Sequence, residues 1–187
     1  YKKNRGCFMK IIIVGAGKIG ELLCKDLASE GNDITLIEQN AKILDRVLSS
    51  SDIMGIMGNG ANCDILTEAN VKACDVFIAV TQSDEINIIS SVMAKKLGAK
   101  YSIARVRNPE YFTQMQFMSE SLGIDAMLNP EAESAYCIAR NLEFPTALNV
   151  ETFSSNKVNI VELMVEENSY LDLSLIHISE PTRRTPI

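Results

Sequence analysis

The sequence contains Gly15-Ala16-Gly17-Lys18-Ile19-Gly20, a run with G-x-G-x-x-G spacing between a strand-like segment and a helix-like segment. Residues 10–14 are rich in β-branched side chains, and residues 18–30 carry an apolar stripe at helical spacing. Gly15 permits a tight turn, Gly17 lets the backbone approach a pyrophosphate, and Gly20 allows the helix to pack closely on the strand. We therefore predict a dinucleotide-binding turn, in which N–H groups at the start of the helix also contact the phosphates. The alternative interpretation is a glycine turn without a ligand.

An acidic residue, Glu38, lies 18 positions after the last glycine of this run, at the end of a second predicted strand. This spacing is close to the ~20 residues expected for the acid that binds ribose. A carboxylate can accept hydrogen bonds from the 2′- and 3′-hydroxyls, and it repels a 2′-phosphate. Glu38, followed by Gln39 rather than by arginine, therefore favours NAD(H), or the ribose of ATP, ADP or AMP, over NADP(H). Lys42 and Arg46 weigh against this choice, and a solvated acid at a strand end is the alternative.

Strand-like and helix-like segments alternate along residues 9–142. The predicted strands are 10–14, 33–38, 53–57, 76–80, 101–106 and 126–128. The predicted helices are 18–30, 40–48, 64–69, 83–97, 109–122 and 130–142. Nearly continuous apolar strands between amphipathic helices indicate a parallel sheet that is covered on both faces. The predicted fold class is therefore α/β, with a Rossmann-like doubly wound parallel sheet in residues 9–129.

The sequence pattern changes after Pro145. Residues 148–153 and 158–165 alternate with a period of two around the turn-forming residues 154–157, which predicts a β-hairpin. We expect residues 130–148 to form a crossover helix and a linker, and residues 149–173 to be the start of a second, truncated domain. Met9 directly precedes the first strand, and residues 174–187 contain two prolines and no periodic pattern. Residues 1–8 and 174–187 are therefore expected to be non-native or disordered ends.

Two further loops and one strand end are expected at the edge of the sheet where Glu38 lies, because ligands of open parallel sheets bind where the strands end. Gly58-Asn59-Gly60-Ala61 follows the third strand as a small-residue loop that can pass beneath an adenine, and Asn59 can hydrogen-bond the base or the ribose. Thr81 and Gln82 follow the fourth strand and are placed to contact the distal part of the nucleotide. Arg105 ends the fifth strand and can bind a phosphate, with an ion pair to a neighbouring acid as the alternative. The candidate binding residues are Gly15, Ala16, Gly17, Lys18, Ile19, Gly20, Glu38, Gly58, Asn59, Thr81, Gln82 and Arg105.

The composition argues against several classes of protein. The 187 residues carry a net charge of −6 and no basic stripe, which disfavours a nucleic-acid partner. No apolar stretch approaches the ~20 residues that span a bilayer. The only histidine is His177, so residues 9–150 lack the usual acid/base group of a dehydrogenase, and we expect no catalytic residue, no metal site and no enzymatic activity. The five cysteines form no C-x-x-C pair, which favours reduced thiols in the cytosol, each buried as a small apolar side chain.

Three sequence runs resemble the Trk/Ktr family of potassium-uptake regulatory subunits, whose N-terminal domain is the RCK (regulator of K⁺ conductance) domain. The runs are Ala79-Val80-Thr81-Gln82-Ser83-Asp84-Glu85-Ile86-Asn87, Ala94-Lys95-Lys96-Leu97-Gly98-Ala99 and Ile103-Ala104-Arg105-Val106-Arg107-Asn108-Pro109-Glu110-Tyr111. The resemblance covers about residues 9–173. It places residues 15–20, Glu38 and residues 58–61 where this family has its nucleotide contacts.

The resemblance implies a cytoplasmic regulatory subunit that binds NAD(H), with ATP or ADP as alternatives, and gates a membrane K⁺ transporter. It also implies a homodimer or a larger ring, located at the inner face of the cell membrane through its transporter partner. Residues 149–173 would then be the start of a small α+β RCK C-terminal domain. A truncated or atypical NAD-dependent oxidoreductase is the alternative function.

Two predicted helices carry apolar residues outside their main stripe. Ile88 and Val92 form a second stripe on helix 83–97, and Phe117 points away from the stripe of helix 109–122. A helix that covers a sheet needs only one apolar stripe, so a second one predicts a second contact, such as pairing with another subunit. Scattered apolar surface residues are the alternative.

Overall fold

A computed structural model describes residues 8–112, 114–145, 147–153 and 158–164. The chain divides into two compact units, Tyr1–Glu131 and Ala132–Ile187. The predictions for residues 1–7, for the turn at 154–157 and for residues 165–187 lie outside the described residues. In the described part of the chain, no helix combines the length and the apolarity that crossing a membrane requires.

The described strands and helices follow the predicted alternation. The strands are β1 (Lys10–Val14), β2 (Asp33–Glu38), β3 (Met54–Met57), β4 (Val76–Ala79), β5 (Tyr101–Arg105), β6 (Ala126–Leu128), β7 (Ala147–Phe153) and β8 (Val158–Leu163). The helices are α1 (Lys18–Ser29), α2 (Ala41–Ser50), α3 (Cys63–Glu68), α4 (Asp84–Leu97), α5 (Pro109–Phe112), α6 (Met115–Leu122) and α7 (Pro130–Glu143). A short 3₁₀ turn, Val71–Ala73, precedes β4 and was not predicted.

The first unit is built on one parallel sheet with the strand order β3-β2-β1-β4-β5-β6. This order reverses between β1 and β4, as in a doubly wound fold, so the Rossmann-like α/β prediction is confirmed. The central strand β1 is buried on both faces: Ile11 and Ile13 pack in one apolar cluster, and Ile12 and Val14 pack in another. Successive strand residues face opposite sides, which explains why this strand is a continuous apolar run. Because β2, β1 and β4 are adjacent and parallel, their carboxyl ends lie side by side at one edge of the sheet.

The single helix predicted for residues 109–122 is wrong, because two helices, α5 and α6, occupy this segment. The N–H of Gln114 donates to the carbonyl of Tyr111, three residues back, in a tight turn after α5. The carbonyl of Gln114 then accepts from the N–H of Met118 and starts a new helical ladder. The apolar stripe continues across the break, since Tyr111, Met115 and Met118 all pack against one cluster. Periodicity alone therefore did not reveal the interruption.

The second apolar stripe of α4 is used within the chain. Ile88 and Val92 pack against a cluster that contains Val106 and Ile124, whereas Met93 lies against a different cluster. The interpretation that this stripe requires another subunit is therefore wrong. Phe117 is different, because 71% of its surface is exposed.

The second unit contains the predicted β-hairpin. β7 and β8 pair antiparallel from Phe153 with Val158 to Ala147 with Leu163, with a register shift between Ala147 and Asn149. This pairing is typical of an antiparallel ladder joined by a short connection.

The cysteines do not share one environment. Cys24 and Cys74 are buried, as expected, but Cys63 and Cys137 are exposed, so the prediction of burial is wrong for these two. Cys63 begins the short helix α3, and α7, which carries Cys137, has no buried residue among those described. Burial raises the pKa of the Cys24 thiol, and likewise that of Cys74, to about 11. The buried thiols are thus protonated at neutral pH.

We expect iodoacetamide to alkylate Cys63 and Cys137 in the native chain at pH 8 and to spare Cys24 and Cys74. The thiolate is the reacting species, and a thiol with a pKa near 11 is ionised to about one part in a thousand at that pH. Peptide mass mapping after timed labelling measures the four rates. Labelling in guanidinium chloride is the control and should make all four react; native labelling of Cys24 at the rate of Cys63 would contradict the burial of Cys24.

Candidate nucleotide-binding cleft

A cleft of about 410 Å³ opens at the carboxyl ends of β1, β2 and β4. It lies at the point where the strand order reverses, which is where ligands bind in open α/β sheets. Half of the predicted binding residues line it: Gly15, Gly17, Glu38, Gly58, Thr81 and Gln82. Ala16, Lys18, Ile19, Gly20, Asn59 and Arg105 are not among its lining residues. Gly60, from the predicted adenine loop, and Gln39 also line the cleft. The other lining residues were not predicted as contacts, namely Val14, Ile37, Asn40, Ile43, Val80, Ser83 and Ile86.

The three glycines of the turn after β1 have different roles. Gly15 has a φ of +100°, and a Cβ atom there would lie 2.9 Å from the backbone of Thr81. A Cβ atom on Gly20 would lie 1.9 Å from the carbonyl oxygen of Gly15, so this glycine is needed for the helix to pack against the turn. A Cβ atom on Gly17 would meet nothing within 4 Å, although Gly17 lines the cleft. Gly15 and Gly20 therefore serve the backbone packing, and Gly17 leaves open space beside the cleft.

The N-terminus of α1 begins at the cleft without a side-chain cap. Its N-cap residue, Gly17, offers no side chain to accept from the first N–H groups of the helix. By contrast, the side chain of Asn40 caps α2, and the hydroxyl of Ser83 caps α4. The uncapped N–H groups and the positive end of the helix dipole can bind an anion. This end of the helix contains Lys18, Ile19 and Gly20. These residues can contact a ligand through their backbone N–H groups.

Glu38, the last residue of β2, lines the cleft beside the turn after β1. One carboxylate oxygen, Oε2, accepts from the N–H of Ala16 at 2.7 Å, and Oε1 accepts from the N–H of Asn40 at 2.9 Å. Ala16 is buried, and its N–H is directed to Glu38. A carboxylate has about four acceptor positions, so two remain for hydroxyl groups of a ligand. The two backbone contacts hold the carboxylate at the edge of the cleft.

The polar end of the loop after β4 is also engaged within the protein. The hydroxyl of Thr81 lies 2.7 Å from Oδ1 of Asn87, and the N–H of Thr81 donates to the same atom at 2.8 Å. The carbonyl of Gln82 accepts from the guanidinium of Arg107. The sequence analysis named Asn87 only as the last residue of the run 79–87 that resembles the Trk/Ktr family. The sequence pattern did not predict that its side-chain amide is fully buried.

Arg105 forms an ion pair with Glu131, the second residue of α7. The Arg105 side chain is only 12% exposed, and its Nε has no hydrogen-bond partner among the described residues. The ion-pair alternative for Arg105 therefore describes this structure, in which Arg105 does not line the cleft.

The electrostatics of the cleft are set by carboxylates and by backbone groups. Among the described residues, Glu38 is the only charged one that lines it. Glu85 lies beside the rim, and its pKa is held below the usual value, chiefly because the hydroxyl of Ser83 donates to its carboxylate. A bound phosphate would thus be stabilised by N–H groups and the dipole of α1 rather than by a lysine or arginine of the cleft wall.

Among curated proteins, the chain is similar to proteins of Trk potassium uptake systems. The chain is 42% identical over 164 residues to a Trk system potassium uptake protein TrkA homolog of Archaeoglobus fulgidus, an alignment that covers 88% of this chain and 37% of the relative. It is 35% identical over 156 residues to the Trk system potassium uptake protein TrkA of Vibrio alginolyticus, covering 82% of this chain and 34% of the relative. The chain thus spans about a third of the length of these relatives.

Solved structures share the fold at lower sequence identity. The TrkA-N domain of the inner membrane protein ybaL from Escherichia coli superposes with a TM-score of 0.64 at 20% identity, over 73% of this chain and 98% of that one. The GsuK channel bound to NAD gives a TM-score of 0.55 at 18% identity, over 67% of this chain and 22% of that one. The AMP-bound Kef C-terminal domain of Shewanella denitrificans gives 0.56 at 17% identity, over 73% and 80%.

The family model of the TrkA-N domain matches residues 11–130, which include nearly the whole parallel sheet and the whole cleft. This agrees with the resemblance in the sequence runs that follow β4 and β5. The chain belongs to the TrkA-N domain family.

Proposed function

We propose that this chain is a nucleotide-binding regulatory subunit of a Trk/Ktr-type potassium uptake system, located on the cytoplasmic side of the membrane through a transporter partner. The observation that carries this proposal is the cleft at the strand-order reversal, which contains both the uncapped start of α1 and the carboxylate of Glu38. The names of the curated relatives support the potassium system, since both are Trk system potassium uptake proteins.

In the proposed complex the phosphates bind at the Gly15–Gly20 turn, and the ribose hydroxyls bind Glu38. The adenine lies over the Gly58–Gly60 loop, where Asn59 contacts the base or the ribose, and Thr81 and Gln82 face the distal part of the ligand. Arg105 contacts a phosphate only after its ion pair with Glu131 opens.

The charge of the cleft favours NAD(H) over ATP or ADP as the ligand. Glu38 is negative, and among the described residues no cation lines the cleft to offset a polyphosphate. ATP concentrates its charge on three adjacent phosphates, whereas the two phosphates of NAD(H) lie between two sugars. The structures of a channel bound to NAD and of a Kef domain bound to AMP support an adenine nucleotide in this fold.

The side chains of the cleft support a regulatory role over an oxidoreductase. A dehydrogenase requires a proton donor or acceptor near the nicotinamide. The described residues that line this cleft include no histidine, lysine, cysteine or tyrosine. Regulation instead requires that the ligand binds one arrangement of the assembly more tightly than another, since only that difference shifts the equilibrium.

We propose that residues 9–129 form the nucleotide-binding domain, that residues 130–148 are a crossover helix and linker, and that residues 149–173 begin a C-terminal RCK domain. α7 would transmit the change at the cleft to a paired subunit and to the transporter. This arrangement places Glu131, the partner of Arg105, at the first turn of the transmitting helix.

Glu38→Ala is expected to weaken NADH binding by about tenfold, because charge-assisted hydrogen bonds to the ribose hydroxyls are lost. The affinity for NADPH should fall less than that for NADH, or should rise, because the variant lacks the carboxylate that repels the 2′-phosphate. Calorimetric titration of the wild-type chain and the variant with NADH, NAD⁺, NADPH, ATP and ADP measures these affinities.

The matched control is Glu30→Ala, which removes an exposed acid at the other end of α1 and should leave all affinities unchanged. Unchanged NADH affinity in Glu38→Ala would remove Glu38 from the site. Failure of the wild-type chain to bind any of the five nucleotides would refute the proposed function.

Gly17→Ala is expected to abolish most nucleotide binding while the chain folds normally. An alanine Cβ there would meet no protein atom within 4 Å and the φ of −67° suits alanine, but alanine is a poorer N-cap than glycine. The melting temperature should therefore change little. Gly20→Ala is the contrasting variant and should lose about 1–3 kcal/mol of stability through its clash with the Gly15 carbonyl. Thermal melts and NADH titration measure both, and full NADH affinity in Gly17→Ala would exclude a phosphate beside this glycine.

Self-association through α6 is expected to depend on Phe117, because this aromatic side chain is exposed. Val92 is not expected to contribute, because it packs against a cluster within the chain. Phe117→Glu should shift a dimer toward the monomer in sedimentation velocity experiments without lowering the melting temperature. Lys96→Gln changes the net charge by the same amount at an exposed position of α4 and is the control. A dimer that persists in Phe117→Glu would place the pairing surface elsewhere.

A further inference from the structure

Asn87 joins the loop after β4 to the end of β5 through a single buried side-chain amide. The residue lies in the first turns of α4 and is fully buried. Its Oδ1 accepts from the N–H of Thr81 at 2.8 Å and from the Thr81 hydroxyl at 2.7 Å. Its Nδ2 donates to the carbonyl of Arg105 at 2.9 Å and to that of Thr81 at 3.3 Å. The oxygen of the amide is therefore satisfied by Thr81 alone, and its nitrogen by Thr81 and Arg105.

These contacts begin where the strand ladder ends. β4 and β5 pair in parallel up to Ala79 and Ala104, and beyond these residues Arg105 still pairs with Leu128 of β6. Beyond that point the Asn87 side chain bridges Thr81 and Arg105. The Asn87 amide thus links the two chain segments beyond the last paired residues of β4 and β5.

A second buried side chain of α4 reinforces the same junction. Oδ2 of Asp84 accepts from the N–H groups of Arg107 and Asn108, at 2.9 and 2.7 Å. Asp84 precedes Asn87 by three residues, so the two side chains lie on one face of the helix. Asp84 therefore binds the loop after β5, whereas Asn87 binds both the end of β5 and the loop after β4.

Thr81 packs closely against the Gly15–Gly20 turn, called the phosphate turn below. Thr81 lines the cleft, and its backbone approaches Gly15 so closely that a Cβ atom there would lie 2.9 Å away. The N–H of Thr81 donates to Asn87, and the Thr81 hydroxyl lies within hydrogen-bond distance of Asn87 Oδ1 and of the Ser83 carbonyl. Neither group is a free donor for a ligand. A shift of Thr81 by a fraction of an ångström would move the wall against which the Gly15 turn packs.

We propose that Asn87 is a positioning residue of the nucleotide site, which holds Thr81 against the phosphate turn and ties it to the Arg105 end of β5. The inference rests on the proposed function, since the ligand is the nucleotide proposed above. The Thr81 hydroxyl accordingly contributes to binding through Asn87 rather than by direct contact with the ligand.

The competing explanation is that Asn87 is only a satisfied buried amide that stabilises the fold. Ser91 provides the matched control, because it is also fully buried on α4 and donates to a β5 carbonyl, that of Ile103, at 3.2 Å. This hydrogen bond ties α4 to the middle of β5 and does not involve the loop after β4. Ser91→Ala therefore removes a buried hydrogen bond between the same helix and strand but leaves Thr81 held.

The test compares Asn87→Ala, Asn87→Asp and Ser91→Ala in the whole chain, well below their melting temperatures. Calorimetric titration with NADH should give about a tenfold rise in Kd for Asn87→Ala and less than about a twofold rise for Ser91→Ala, even if both lower the melting temperature. Asn87→Asp keeps an acceptor for Thr81 and should lose less affinity than Asn87→Ala. NMR-detected hydrogen exchange of the Thr81 amide should accelerate in Asn87→Ala and not in Ser91→Ala.

Equal NADH affinities of Asn87→Ala and wild type would overturn the positioning role and leave the proposed function standing. If Asn87→Ala does not fold, an Asn87→Asp chain with wild-type affinity and no protection of the Thr81 amide would overturn the role as well. A wild-type chain that binds no NADH would instead refute the proposed function, and this inference with it.

Discussion

The close approach of the turn after β1 to both neighbouring strands is the constraint on which the cleft depends. Gly15 donates its N–H to the carbonyl of Ile37 in β2, while its Cα faces the backbone of Thr81 after β4. No side chain fits between these strands, and the φ of +100° is one that only glycine adopts without strain. Since the turn is held on both sides, α1 starts at the cleft and Gly17 comes to line it. Gly20 repeats the close approach from the helix, against the Gly15 carbonyl.

The same turn is connected to the acid that faces it. The N–H of Ala16 donates to Glu38, so the end of β2 and the turn after β1 share a hydrogen bond in addition to the strand ladder. Asn40 extends the connection, because its N–H binds the other carboxylate oxygen and its side chain caps α2. The cleft is therefore surrounded by backbone groups whose positions are set by hydrogen bonds between adjacent loops. A rigid arrangement of this kind suits recognition, because little conformational freedom is lost on binding.

The sequence predicted most of the fold because its strongest signals are local. Residues 11–14 are apolar throughout since both faces of β1 are buried, and the glycine spacing is typical of one strand–turn–helix unit, although Gly15 also meets the backbone of Thr81. Glu38 was found from its distance to that unit. The features that were missed depend on tertiary contacts: the break between α5 and α6, the exposure of Cys63, and the identity of Glu131 as the acid that pairs with Arg105. Asn87 belongs to the same group, because a buried amide in a helix looks like any polar residue until its partners on two other segments are known.

The absence of a cation among the described residues that line the cleft has a consequence for the surroundings in which the protein would work. Attraction between full charges weakens as salt accumulates, because mobile ions screen it within about 10 Å at 0.1 M. Short hydrogen bonds from main-chain amides lose much less under the same conditions. In the role proposed here, cellular ionic strength would rise and fall with the potassium that the system imports. A site that binds phosphate through main-chain amides would therefore lose less nucleotide affinity as the ionic strength rises than a site that relied on lysine or arginine.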